Sequence, residues 1–278
     1  MAGPQCPDLC HRWRSGAEEH ELRLVRVPGT GAEPYLFGAE SHRRPVTVGD
    51  FHLSTTPVTR ALWAHVMGEP EPERPRHPKD EVSWDHIRAP GGFLDRLNAG
   101  PILRAITGDS ARRFRLPGET EWEYAARGGP HWRDGFRFSG SNDPDAVAWF
   151  GARWSGGALK WSTLKWLKYL GVWNAQRHGR GPTQTHEVAS KAPNQLGLYD
   201  LSGNVWEWCE DVCVEMDAVP LDGSPARGTG AAPEDEERRV RGGCHHNWDM
   251  HCTVWWRYGL TPDFHDGCVG FRLALAEL

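Results

Sequence analysis

The chain has 278 residues, a formal net charge of −5, seven cysteines and fifteen tryptophans. That length suits one large mixed domain, while the acidic balance without a long basic run argues against nucleic-acid binding, and no stretch is apolar enough to span a membrane. The odd, scattered cysteines point to reduced thiols rather than a disulfide framework, and residues 1–14 lack the apolar core of a secretory signal, so a cytoplasmic, monomeric protein is expected.

In chain order, residues 1–20 read as an N-terminal tail. Cys6, Cys10 and His11 could share a zinc ion, but their spacing is loose and an unordered tail accounts for them. The domain is expected over 21–278. Residues 21–37 alternate through Leu22, Leu24, Val25 and Val27 up to Pro28-Gly29, a strand followed by a turn. A second strand is expected over 45–53. Thr56-Pro57 reads as a helix cap before a first-turn proline. The helix would run over 58–67, with Leu62, Trp63 and Val66 inward and Gly68 as its stop. Residues 69–81 are a proline- and charge-rich loop, and 89–98 a short helix. Over 114–129 the spelling Phe-Arg-Leu-Pro-Gly-Glu-Thr-Glu-Trp-Glu-Tyr-Ala-Ala-Arg-Gly-Gly predicts a strand, a proline stop and a helix with an acidic first turn. Clustering at a helix start explains Glu119, Glu121 and Glu123 better than catalysis does.

Residues 153–184 form a Trp- and Lys-rich insertion. Trp166, Leu167, Leu170 and Trp173 could make one helical stripe, and a basic amphipathic helix can lie on a membrane or a partner. An insertion that packs its tryptophans back onto the domain is the preferred reading. Residues 218–239 are another loop.

Residues 193–209 read Pro-Asn-Gln-Leu-Gly-Leu-Tyr-Asp-Leu-Ser-Gly-Asn-Val-Trp-Glu-Trp-Cys. Gly203-Asn204 marks a turn, and Val205-Trp206-Glu207-Trp208 reads as a strand with Val205 and Glu207 on one face and the two tryptophans on the other. On spacing alone Glu207 would be solvated and Asp200 would cap a turn. Yet Asp200, Glu207 and nearby carbonyls are also hard oxygen donors of the kind that hold calcium.

With Phe114–Gly129, Arg239-Val-Arg-Gly-Gly and Gly270-Phe-Arg-Leu, this stretch resembles the sulfatase-modifying-factor family of the formylglycine-generating enzyme. The resemblance covers about residues 22–278. It implies an α+β fold, a variant of the C-type lectin fold with short strands, few helices and much irregular structure. It also implies a structural calcium on the side chains of Asp200 and Glu207 and the carbonyls of Gly203 and Val205.

The catalytic enzymes of that family use two cysteines, five residues apart, to bind copper, which suits soft thiolates. Counted from Gly243, those positions fall on Asn247 and Cys252, with Cys244 three residues early. No copper is therefore expected, and Cys244 and Cys252 remain only as alternative catalytic groups. A metal site for an oxidoreductase could instead draw on His245, His246, His251 and His265 with Asp249 and Asp263. The preferred reading is a non-catalytic surface over 244–268 that binds a protein or a small ligand. It would use His245, His246, Asn247, Trp248, Asp249, His251, Trp255, Trp256, Arg257, Tyr258, Asp263 and His265, since rigid aromatics among adaptable polar groups are typical of recognition surfaces. The same fold carries the variable proteins of diversity-generating retroelements, whose C-terminal segment is rewritten at adenines. Many residues of 244–268 are types that an AAC codon can become, although tryptophan and methionine are not. About half of the aromatics of 248–258 are expected to be buried, and the adjacent Trp255 and Trp256, in an extended segment, to point to opposite faces.

Overall fold

A computed structural model describes residues 9–108, 112–153, 184–228 and 236–276. Apart from Arg153 and Gln184, the insertion at 153–184 lies outside the described residues.

The chain is already strand at Leu9, so the tail expected over 1–20 is corrected. β1 (Leu9–Ser15) and β2 (Glu18–Val27) form an antiparallel hairpin, with Leu9 opposite Leu24 and Ser15 opposite Glu18. The anchor is Trp13, which is buried with Leu22 and Leu24 and stacks on His65 with ring centroids 5.2 Å apart. Cys10 is exposed. As neighbours on a strand, Cys10 and His11 point to opposite faces, which removes the zinc reading.

β3 (Tyr35–Phe37) and β4 (Arg44–Val46) make a small ribbon. β5 (Phe51–Ser54) and β6 (Phe114–Arg115) belong to the sheet of the first hairpin. A second sheet holds β7 (Trp206–Val212), β8 (Arg238–Arg241), β9 (Arg257–Leu260) and β10 (Val269–Phe271) in the order β10-β7-β8-β9. β10 runs parallel to β7, and the other pairings are antiparallel. β11 (Ala274–Ala276) returns to the first sheet, whose order is β1-β2-β5-β11-β6. The short run from β10 to β11 therefore stitches the two sheets together.

The helices are short. α1 (Arg60–Met67) buries Leu62 and Trp63 and ends at Gly68, which takes φ 73°. Its cap is Thr59, whose hydroxyl accepts from the Leu62 N–H at 3.2 Å, and not Thr56. A separate short helix, α2 (Trp84–Arg88), precedes the one expected over 89–98, which begins later, as α3 (Phe93–Ala99). α4 (Pro101–Thr107) follows, then α5 (Glu119–Ala126) and α6 (Pro144–Val147). α5 starts after Gly118, whose N–H is held by Glu121, and is followed by Gly128 and Gly129, both at positive φ.

Beside a small apolar cluster of Phe138, Val147 and Cys252, two large ones form most of the core. One runs from Leu22 through Trp63 and Phe93 to Trp206, Trp208 and Phe271; the other holds Tyr35, Phe37, Phe51, Trp122 and Leu198. β7 is buried on both faces. Trp206 and Trp208 enter the first cluster, so Glu207, on the opposite face, is fully buried as well. The expectation that Glu207 is solvated is overturned. A buried carboxylate needs a partner of opposite charge. Arg272 supplies it through Nε to Oε2 at 2.6 Å and Nη2 to Oε1 at 2.8 Å.

Candidate functional site

The bend at 200–207 is built from left-handed residues. Asp200, Gly203 and Asn204 take φ 56°, 80° and 65°. A Cβ on Gly203 would lie 2.1 Å from the Trp149 carbonyl oxygen, so no other residue fits there. Asn204 is wholly buried. Its Oδ1 accepts from the His186 N–H at 3.0 Å, while its own carbonyl accepts from the His245 N–H at 3.1 Å and His245 Nδ1 at 2.9 Å. This bend therefore supports the start of the 244–268 segment.

Asp200 accepts from the Ala189 N–H at 2.8 Å and from Asn204 Nδ2 at 3.3 Å. Burial pushes its pKa up to about 6, only partly offset by those bonds and by the Arg272 guanidinium. Glu207 is more heavily committed, because Oε2 also accepts from Trp122 Nε1 at 2.6 Å. With one bond to Oε1 and two to Oε2, Oε1 keeps a lone pair. The donor set fits a hard cation at Asp200 and in part at Glu207, which would share its charge with Arg272.

A second buried charge cluster lies under β8 and β9. Arg241 and Arg257 sit directly opposite one another across these strands. That placement is unfavourable for like charges and depends on a carboxylate between them. Glu119 provides it, with Arg257 Nε to Oε1 and Nη2 to Oε2 both at 2.7 Å, and Arg241 and Arg239 each at 3.3 Å. Burial raises the pKa of Glu119, but the three guanidiniums outweigh it and hold the carboxyl at about 2. The acidic helix start is thus structural, as the sequence implied. Arg257, expected on the ligand surface, is half-buried and is the other half of that pairing, which ties it to the framework.

Other expected surface residues are also partly framework. Asn247 Oδ1 accepts from the Cys244 N–H at 2.9 Å, and the Asn247 N–H donates to the Cys244 carbonyl at 2.9 Å, closing a tight turn. The Asn247 carbonyl accepts from the Gly151 N–H, and the Asp249 N–H donates to the Ala152 carbonyl. His245 and His251 are buried, and burial brings each down to about 4. His251 sits edge-on to Trp256 with ring centroids 4.7 Å apart. Trp248, Trp255, Trp256, Tyr258 and His246 are half-buried. Trp255 packs on the second cluster and Trp256 on the first, so the two rings do face opposite ways, each with part of its surface open. Asp263 and His265 are exposed, and His265 lies 5.7 Å from His86 between ring centroids.

The six-residue histidine and aspartate metal site is not assembled. Among the described residues, the one group of three or more potential ligands is Cys244, His245 and Cys268, whose ligand atoms lie within 4.8 Å of one another. Cys268 was missed from the sequence because no spacing rule links it to Cys244. Cys252 is not in this group. Its thiol lies against the Gly243 backbone, where an added Cβ would meet it at 2.7 Å, and burial pushes its pKa up.

Residues 17–277 match the family described as "Sulfatase-modifying factor enzyme 1-like domain". The chain belongs to this family. Within the sulfatase-modifying-factor family it is 34% identical over 209 residues to the formylglycine-generating enzyme of Streptomyces coelicolor, covering 72% of the chain and 53% of that protein. It is also 34% identical over 187 residues to the chaperone protein LppX of Paenibacillus barcinonensis, covering 59% of the chain and 63% of that protein. The chain thus spans little more than half the length of these two relatives. Bos taurus inactive C-alpha-formylglycine-generating enzyme 2 aligns over 96% of the chain and 92% of its own length at 28% identity. Among solved structures, Treponema denticola variable protein 1 shares the fold at a TM-score of 0.66 and 23% identity, covering 95% of the chain and 98% of that one. No helix among the described residues is long and apolar enough to cross a membrane.

Proposed function

We propose that this sulfatase-modifying-factor-type chain is a non-catalytic binding protein that presents residues 244–268 to a protein or small ligand. The observation that carries the reading is the state of Asn247. At the place where the resemblance puts the first copper thiolate, its carboxamide closes the Cys244 turn. The remaining thiol, Cys252, is wholly buried with a raised pKa, the opposite of a reactive thiolate. Trp248, Trp256, Tyr258 and His246 are half-buried, and Trp256 and Tyr258 pack against the first cluster, as suits rigid contact groups. The end-to-end relative named as inactive and the variable protein of the same fold agree with this reading.

Two experiments test it. The copper-treated chain should consume no oxygen with a cysteine-containing peptide; turnover would overturn the reading. DNA flanking the gene should hold a near-copy of the segment encoding residues 241–272 that differs only at adenines, beside a reverse transcriptase, if the surface is diversified. Without such a copy it is a fixed surface.

Calcium belongs to the same proposal. The Asp200 and Glu207 carboxylates with the Gly203 and Val205 carbonyls would hold it, and its charge would fix the bend that supports His245. We also propose a cytoplasmic location, on the odd, scattered cysteines of the sequence.

A further inference from the structure

Cys244 and Cys268 stand at the two ends of the segment that the binding reading assigns to recognition. Cys244 follows directly on the Arg239-Val-Arg-Gly-Gly framework, and Cys268 immediately precedes β10. Two buried cysteines alone would be small apolar core residues. What distinguishes this pair is a histidine between them, oriented in a particular way. We propose that Cys244, His245 and Cys268 bind a zinc ion that clips the two ends of the 244–268 segment together.

The ligand types and their placement carry the proposal. The Sγ atoms of both cysteines and a ring nitrogen of His245 all lie within 4.8 Å of one another. Ligands around a tetrahedral zinc with bonds of 2.0–2.3 Å are about 3.5–3.8 Å apart, so the three side chains need only close inward slightly. The Asn204 carbonyl can only accept, so His245 Nδ1 must carry the proton in their 2.9 Å bond. Nε2 is thereby left as the nitrogen with a lone pair to give. A metal-binding histidine is commonly fixed in this way, its second nitrogen donating to a backbone carbonyl.

Both cysteines are also pre-positioned through their backbone. The Cys244 N–H donates to Asn247 Oδ1 at 2.9 Å, and the Cys268 N–H to Asp266 Oδ1 at 2.8 Å. Charge selects among thiophilic metals. All three residues are buried, with exposures of 1%, 1% and 6%. Two thiolates with a neutral imidazole and a divalent ion sum to zero, which a buried site tolerates. Thiolate and imidazole together suit zinc, and a water molecule can take the fourth position as in other three-ligand zinc sites. Binding releases the two thiol protons to solvent, and no electron is transferred.

Such a clip has a purpose. It closes the loop at its base, so side chains between the ends can change while the entry and exit of the segment stay fixed. The inference stands beside the binding reading: an inert surface would leave the metal spectrum intact, and loss of the metal would leave the surface residues in place.

The test uses the full chain, purified with a phosphine reductant and loaded with zinc or cobalt(II). We expect one zinc per chain by elemental analysis. Cobalt should give a thiolate charge-transfer band and tetrahedral d–d absorption. Both signals should vanish in Cys244→Ala and Cys268→Ala and persist in Cys213→Ala. X-ray absorption at the zinc edge of the wild-type chain gives a readout independent of variant folding, with two sulfur neighbours and one imidazole expected. A first shell of oxygen and nitrogen alone would overturn the proposal. So would a folded wild type without cobalt bands, or bands that survive in the double variant Cys244→Ala/Cys268→Ala.

Discussion

Replacing Glu119 with glutamine tests the idea that Arg257 is framework rather than ligand surface. Glu119 is 1% exposed and receives two 2.7 Å bonds from Arg257, with Arg239 and Arg241 each at 3.3 Å. Its pKa drops from 4.5 to about 2 in the folded chain. That difference, about 2.5 units, corresponds to about 3 kcal/mol of stability at neutral pH. Glu119→Gln keeps the shape but turns an N–H group toward the guanidiniums and leaves Arg239 and Arg257 without their carboxylate. Breaking a buried pair on one side costs about 3–5 kcal/mol. Some relief comes from Asp211, whose carboxyl is pushed up to about 7 by burial and by the charge of Glu119. With that relief we expect a net loss of about 2–3 kcal/mol at pH 7, somewhat below both figures. Urea unfolding followed by tryptophan fluorescence measures it. The sign with pH is fixed. The folded pKa is depressed, so the contribution is complete above about pH 4.5 and is lost as the pH falls toward about 2. The gap between wild type and Glu119→Gln must therefore narrow below pH 4.5. A variant within about 1 kcal/mol of wild type at pH 7, or a gap that does not narrow in acid, would refute the reasoning and return Arg257 to the surface.

Three further outcomes are expected. Trp256→Ala, at a half-buried ring, should cost about 1–2 kcal/mol and leave the fold intact, whereas Trp208→Ala, at a fully buried one, should cost about 3–5 kcal/mol; equal losses in urea unfolding would place Trp256 in the core. Asp211 accepts from the Glu119 and Ala226 N–H groups. With its folded pKa raised from 3.8 to about 7, its contribution is present in full below about pH 4 and is lost as the pH rises through about 7. The Tm of Asp211→Asn, measured against pH, should lack that decline, and a parallel profile would sink the assignment. Calcium in excess of its Kd by about a hundredfold should stabilise the chain by about 2.7 kcal/mol, an effect abolished in Asp200→Ala; an unchanged Tm on chelation, with no calcium found by elemental analysis, would remove calcium from the 200–207 bend.

Much of the framework was legible because its signals are local. Gly203-Asn204 signalled a turn and forms one, through two left-handed residues, and Val205–Trp208 alternated as a strand does. Gly68 stopped its helix, and the acidic start of α5 was correctly read as structural. The sequence could not show which distant group would answer each buried charge. Glu207 was expected in water because nothing nearby in the sequence announces Arg272, which is 65 residues away. Arg257 looked like a surface group because Glu119 is 138 residues away. β1 was missed because its alternation is carried by charged residues and a single tryptophan, so its pairing depends on the hairpin rather than on its own composition. The candidate site suffered most. Trp255 and Trp256 were correctly seen as facing opposite ways, but none of Trp248, Trp255, Trp256 and Tyr258 is fully buried where about half were expected to be, and which polar residues close turns and which face outward depends on loop geometry that no periodicity encodes.

The order of strands in the first sheet bears on how the protein is made. β11 lies between β5 and β6 and pairs with both, though it is synthesised after every other described strand. Until it leaves the ribosome, β5 has an unpaired edge and Arg272 cannot reach Glu207. Early strands must therefore wait for late ones, a pattern of long-range contacts that folds slowly and exposes sticky edges meanwhile. A nascent chain halted just before Ala274 should remain bound to chaperones, and one extended far enough to free Ala274–Ala276 from the ribosome should be released from them.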